Sequence, residues 1–185
     1  MWDVMTDRQH LIQLLRDRSI KRGHFTLASG KTSDLYIDAR VTTMSPEGLA
    51  LIGPLAIQML RDAAWRVDAA GGLTLGADPI AYSISQASNS SPPLIRAFTV
   101  RKEAKIHGTG KLIEGPFQKG DHVAIVEDVI TTGASTLRAI DAVTRAGGHI
   151  EGVLALLDRG EGGRTAIENA GYRVMPIIHL TEVVS

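Results

Sequence analysis

Apolar residues fall along this chain in two rhythms. Near the N-terminus, Leu11, Ile12, Leu14 and Leu15 recur at helical spacing behind Thr6, and predict a capped amphipathic helix over 7–18. Residues 24–40 then alternate, with Leu35, Ile37 and Ala39 on one face, and predict two short strands around a Ser29-Gly30-Lys31 turn. Ser45-Pro46-Glu47 supplies a cap, a first-turn proline and a first-turn acid. A helix is expected from there to about residue 63, kinked at Pro54. Beyond it the apolar runs become continuous. Buried strands are predicted over 69–76, which ends on Gly76, and over 94–100, 122–126 and 150–157, with a last strand over 172–180. Between them, helices are expected from Pro79 to about 86, over 133–146 up to the Gly147-Gly148 stop, and over about 164–170.

From residue 45 onward, helix thus alternates with strands apolar on both faces. That pattern predicts an α/β fold with an open, mostly parallel sheet flanked by helices. Such sheets bind ligands beyond the carboxyl ends of their strands. Three turns fall at those ends, 76–79, 127–135 and Asp158-Arg159, so one site is expected to draw on all three.

Composition narrows the class. A chain of 185 residues with 44% hydrophobic content suits one domain with a substantial core. Twenty basic residues balance twenty acidic ones, so no general attraction to nucleic acid is expected. Cysteine is absent, which excludes thiol catalysis, disulfides and cysteine metal sites. The first residues, MWDVMTDRQH, lack a signal-peptide pattern, and no apolar run approaches the ~20 residues that span a bilayer. The expectation is a soluble cytoplasmic protein with no membrane partner.

The chemistry concentrates in VAIVEDVITTGAST, residues 123–136. An apolar strand meets Glu127 and Asp128, then Val129, Ile130 and the small residues Thr131, Thr132, Gly133, Ala134 and Ser135 before a helix opens. A helix N-terminus offers free N–H groups and the positive end of a dipole, which suits a phosphate. Thr131, Thr132, Ser135 and Thr136 add hydroxyl donors. A nucleotide-triphosphate loop would carry a lysine here; this one carries two acids instead. Acids repel phosphate but accept from vicinal hydroxyls, so the inferred ligand is a ribose 5-phosphate. An ordinary strand–loop–helix unit remains the plainer reading of any shorter piece of the string.

Upstream lies RKEAKIHGTGKLIEG, residues 101–115. Arg101, Lys102, Lys105 and Lys111 oppose Glu103 and Glu114, an excess of two positive charges, with His107 besides. Gly108, Gly110 and Gly115 would keep the stretch mobile. An isolated cluster of this kind is usually a solvated surface loop. Beside a phosphate site, it could instead close over a polyphosphate and exclude water.

Together these stretches resemble the orotate phosphoribosyltransferases, a family of type I phosphoribosyltransferases. VEDVITTGAS is similar to the loop that type I enzymes use for phosphoribosyl pyrophosphate, and RKEAKIHGTG to the mobile loop of the orotate enzymes. FTLASGKTSDLYIDAR resembles their N-terminal hood, GGLTLGADPIA the turn facing pyrophosphate, and LLDRGEGG the segment that holds orotate. The resemblance implies a single phosphoribosyltransferase domain, with a hood at about 1–44 joined by part of the C-terminal end, and a core at about 45–160. It implies transfer of phosphoribosyl to orotate with Mg²⁺, held mainly by the donor and water, in a homodimer whose loop 101–115 serves the partner's site. By the same resemblance, Thr131, Thr132, Gly133, Ala134 and Ser135 take the 5-phosphate, and Glu127 and Asp128 the ribose, with Val129 and Ile130 between. Arg101, Lys102, Lys105 and His107 meet the pyrophosphate; Lys105, His107 and Asp128 are the catalytic candidates. Arg159 faces orotate, with Thr131 touching it, although an ion pair with Asp158 or Glu161 is an equal reading of Arg159 alone. Many relatives carry Lys at the position of Ala28, and some at Gly76, so this chain departs from the pattern twice. Two rivals remain at this point: a phosphoribosyltransferase for a purine or other base, and a non-catalytic sensor of the same donor.

Overall fold

The computed structural model describes residues 5–26, 32–103 and 111–184. Helix α1 (Asp7–Arg18) opens on a capping box, in which the Thr6 side chain and Gln9 satisfy one another's backbone N–H groups. Strands β1 (Ile20–Thr26) and β2 (Thr32–Ile37) form a separate antiparallel pair, and β1 begins four residues earlier than the sequence pattern suggests. Then follow α2 (Arg40–Thr43), α3 (Pro46–Asp62), β3 (Ala69–Leu73), α4 (Ala77–Ser88), β4 (Arg96–Val100), β5 (Ile113–Glu114), β6 (His122–Ile130), α5 (Ala134–Arg145), β7 (His149–Asp158), α6 (Gly163–Asn169), β8 (Val174–His179) and α7 (Leu180–Val184).

The main sheet runs β5-β4-β3-β6-β7-β8 and is parallel except for the short edge strand β5. From β3 the chain moves outward to β4; from β6 it moves the other way, to β7 and β8. The switch between β3 and β6 opens a crevice at their carboxyl ends, where open α/β sheets place ligands.

Side chains on successive strand residues point to opposite faces, so a strand buried on both sides feeds two cores. Along β6, Ala124 and Val126 join the core under α1, α3 and α4, while Val123 and Ile125 join the core under α5 and α6. The first core also takes in Val183 of α7. Three arginines tie this last helix to the first elements. Arg8 Nη2 donates to both Glu182 carboxylate oxygens at 2.7 and 2.8 Å, Arg16 reaches the Val183 carbonyl at 3.0 Å, and Arg22 reaches that of Val184 at 2.7 Å.

Four expectations are corrected. Strand β6 does not stop at Val126: β7 keeps pairing with it, Glu127 against Ala155 and Ile130 against Asp158, so both acids lie within the strand. Strand β3 stops at Leu73, short of Gly76, because Thr74 turns its hydroxyl to Asp78 Oδ2 at 2.6 Å. Helix α4 starts at Ala77, and Pro79 sits in its first turn, where a missing N–H costs nothing. Strand β4 starts at Arg96, two residues late. Helix α3 continues through Pro54, which lies on its exposed side. The short elements α2, β5 and α7 have too few residues to show a period.

Ile125 is fully buried at the centre of the sheet. Ile125→Ala is expected to cost about 2–5 kcal/mol, which at ~2–4 °C per kcal/mol for a chain of this size lowers Tm by several degrees. Leu75→Ala, at a position 52% exposed, is expected to leave Tm nearly unchanged. Thermal melts of the pair check the assignment of the core.

Candidate active site

The turn from β6 into α5 depends on Gly133, which caps the helix at φ 79°, a left-handed conformation that suits glycine. A Cβ there would also lie 2.8 Å from the Gly163 carbonyl. Glu127, Val129, Ile130 and residues 131–136 line a small concavity at this turn. Thr132, Ala134 and Ser135 face solvent, whereas Gly133 and Thr136 are buried. Helical geometry leaves the first N–H groups of α5 without intrahelical acceptors, and they stand at the positive end of its dipole. The cradle therefore has the chemistry to take one phosphate.

The two carboxylates differ. Glu127 is 7% exposed and its Oε2 accepts the Thr136 hydroxyl at 2.8 Å. Burial pushes its carboxyl up to about 8; Thr136 opposes that shift and the neighbouring Asp128 adds to it. Asp128 is more open, and its Oδ1 accepts the Val129 N–H at 2.8 Å. Its carboxylate lies directly against Gly76: a Cβ at residue 76 would fall 2.4 Å from Asp128 Cγ. The turn after β3 and the acids of β6 thus meet across the switch point. Arg40 lies close enough to Asp128 for the acid to favour its charged form, although its main partner is Asp38 at 2.8 Å.

Asp78, in the first turn of α4, is buried and accepts Thr74 at 2.6 Å and Thr99 at 2.9 Å, and Thr99 meets Tyr82 at 3.1 Å. These four residues line an open groove of about 630 Å³, whose other wall includes Arg101, Lys102, Glu103 and Glu114. Because β5 pairs antiparallel with β4, the chain that leaves at Arg101 returns beside it: the Arg101 N–H bonds the Leu112 carbonyl at 2.8 Å. Arg138 of α5 holds the Lys102 carbonyl at 2.7 Å. The root of the basic stretch is therefore fixed between groove and cradle. Lys105 and His107 lie outside the described residues, as do Ala28 and the Ser29-Gly30-Lys31 turn.

The end of β7 joins the same region through the Arg159 N–H, which bonds the Ile130 carbonyl at 3.1 Å. The Arg159 side chain is only 10% exposed and pairs with Glu161 at 2.7 Å. Its Nε is buried without a hydrogen-bond partner. Of the two ion pairs open on sequence, the structure forms the one with Glu161. The three turns predicted to converge do so. The hydroxyl of Thr136, expected with those of Thr131, Thr132 and Ser135 as a phosphate donor, is buried and turns to Glu127 instead. Sequence reasoning missed Arg40 and the Thr74–Asp78–Thr99 network; isolated polar residues carry no periodic signal, and only their contacts reveal them.

An open, mostly parallel sheet with a strand–turn–helix concavity beside its switch point is the architecture of the type I phosphoribosyltransferase class. No family model matches the chain. It is 43% identical over 183 residues to the orotate phosphoribosyltransferase of Aquifex aeolicus, covering 97% of this chain and 99% of that one. The orotate phosphoribosyltransferase of Mycobacterium tuberculosis superposes with TM-score 0.86 at 42% identity in its Fe(III) dicitrate complex, over 96% of this chain and 99% of that one. Its complex with 5-phospho-α-D-ribosyl 1-diphosphate superposes with TM-score 0.83 at 38% identity, over 97% and 100%. The chain belongs to the orotate phosphoribosyltransferase family.

The buried carboxyl of Glu127 has a measurable consequence. Its proton is held more tightly in the folded state, so the stability it contributes is full below the ordinary value of 4.5 and is lost as pH rises through about 8. Glu127→Gln cannot titrate. Between about pH 5 and pH 9 the variant is expected to lose less Tm than the parent. Parallel Tm curves would show that Glu127 is not held neutral.

Proposed function

We propose that this chain transfers the phosphoribosyl group of 5-phosphoribosyl 1-pyrophosphate to orotate, giving orotidine 5′-monophosphate and pyrophosphate for pyrimidine nucleotide synthesis in the cytoplasm. The observation that carries the reading is the placement of the cradle at α5, Asp128 at the switch point and Arg159 at the end of β7 around one crevice. Thr131, Thr132, Gly133, Ala134 and Ser135 take the 5-phosphate, and Glu127 and Asp128 the ribose hydroxyls. Arg159 offers a planar fork for the orotate carboxylate, which a lysine would match poorly.

Cleavage at ribose C1 leaves positive charge on the sugar and negative charge on the departing pyrophosphate. Arg101 and Lys102 border the groove beside the crevice, and Lys105 and His107 follow them in sequence. These groups supply donors where the leaving charge grows, each such donor being worth on the order of 10²–10³ in turnover. Asp128, facing the sugar, favours its cationic character. Among the described residues no three His, Asp or Glu side chains come together to hold a metal ion. Mg²⁺ takes oxygen ligands and retains water, so an ion carried on the donor's own oxygens fits this site and would offset their charge.

The hood, residues 1–44 with the C-terminal end, and the core at 45–160 form one working unit in this reading. We further propose a homodimer in which residues 101–115 close over the partner's crevice. In support, Tyr36, Val41 and Met44 of the hood side, and Leu75 and Tyr82 beside the groove, are all large apolar residues at least 40% exposed.

The direct test follows orotate absorbance after adding the donor, with and without Mg²⁺, beside adenine, hypoxanthine and uracil. Magnesium-dependent consumption of orotate alone is expected; turnover of another base instead would overturn the assignment of Arg159. Arg159→Ala is expected to raise KM for orotate at least tenfold more than KM for the donor, the loss of a charged hydrogen-bonded pair being worth about that much. Mixing inactive Lys105→Ala with inactive Asp128→Asn is expected to restore part of the activity through hybrid dimers, and a mixture as dead as its components would count against a shared site.

A further inference from the structure

We propose that Thr136 is a positioning residue for Glu127, fixing the acid's Oε2 against α5 so that the remaining oxygen is presented toward the ribose; this rests on the phosphoribosyl reading above. Thr136 stands on the first turn of α5, immediately after the cradle residues, and is 1% exposed. Its hydroxyl has one proton to give. In a helix that proton commonly goes to a carbonyl one turn back; here it goes to Glu127 Oε2 at 2.8 Å. The contact joins the helix that binds the phosphate to the strand that binds the sugar, nine residues away in sequence.

The bond matters because Glu127 is otherwise placed against its role. Burial favours its neutral acid, and the Asp128 side chain pushes the same way, against a smaller opposing effect of the Asp128 backbone N–H. Asp158 and Arg159 at the end of β7 are engaged elsewhere, with the Gly160 N–H and with Glu161, and Arg138 of α5 holds the Lys102 carbonyl. Thr136 is the side chain that favours the ionised form. A donor on one carboxylate oxygen both stabilises the anion and sets the rotation of the group.

Thr136→Val keeps the shape and deletes the hydroxyl; Thr136→Ser keeps the hydroxyl. The Val variant is expected to lower kcat/KM for the phosphoribosyl donor on the order of tenfold or more, to leave KM for orotate within about twofold, and to move the acid limb of the rate profile to higher pH. The Ser variant is expected to restore the donor kinetics and the parent's pH profile. A folded Val variant with the parent's donor kinetics and pH profile would overturn the proposal, as would a Ser variant as impaired as Val. Calorimetric binding of ribose 5-phosphate separates this from the choice of base. Weaker binding by Thr136→Val, in a parent that turns over no orotate, would uphold the positioning and sink the reaction. Orotate turnover with unchanged ribose 5-phosphate affinity and kinetics in the Val variant would do the reverse.

Discussion

Backbone hydrogen bonds between β6 and β7 continue past the point where the apolar core gives out. Val126 is the last of the uninterrupted apolar run, yet the ladder holds through Ile130 and Asp158. That extension places Glu127 and Asp128 on rigid strand rather than on a loop. It sets the start of α5 at a fixed distance beyond them, and it brings Arg159 to Ile130. Polar groups on a strand end cost desolvation that a loop would avoid. The gain is precision, since a site built on regular elements holds its geometry to a fraction of an ångström.

Around this ladder the electrostatics are opposed by design of position. The N-terminus of α5 attracts anions, while two carboxylates a few residues earlier repel them. Both can serve one ligand only if it is anionic at one end and rich in hydroxyls at the other. Burial of Glu127 reduces the conflict, because the neutral acid adds little repulsion. Asp128 stays open and its neighbour Gly76 has no side chain, so the acid occupies space that a Cβ would take. The absence of a lysine at Gly76 and the position of Asp128 are therefore one structural fact. Any side chain at 76 would require the carboxylate to move.

Much of this was legible in the sequence because apolar periodicity reports burial. The Thr6 cap, the Ser45-Pro46 start and the Gly147 stop each named a helix end within a residue. Continuous apolar runs gave the parallel sheet, and the sheet gave the site. The reading was weakest where polar residues remain in regular structure. Glu127 and Asp128 looked like the end of a strand, though pairing with β7 carries the strand past them. Thr74 read as strand and Asp78 as part of the turn at its end, but they and Thr99 form a hydrogen-bonded network that crosses from β3 to β4. Contacts of this kind depend on which strands are neighbours, and strand order is not written in any local pattern.

Arg159 shows how an ion pair can leave a buried arginine incompletely satisfied. Its pair with Glu161 satisfies one end of the guanidinium. The pair is not a complete solution, because Nε remains buried and unbonded. A guanidinium has five donors, and burying one without a partner carries a free-energy cost. Glu161 is nearly half exposed, so its attraction is weakened by solvent and it yields readily to a better-placed acceptor. Under the function proposed above, a planar carboxylate would replace Glu161 on the fork. The arginine then needs no large movement, since its backbone is already fixed by the Ile130 carbonyl at the end of the same ladder.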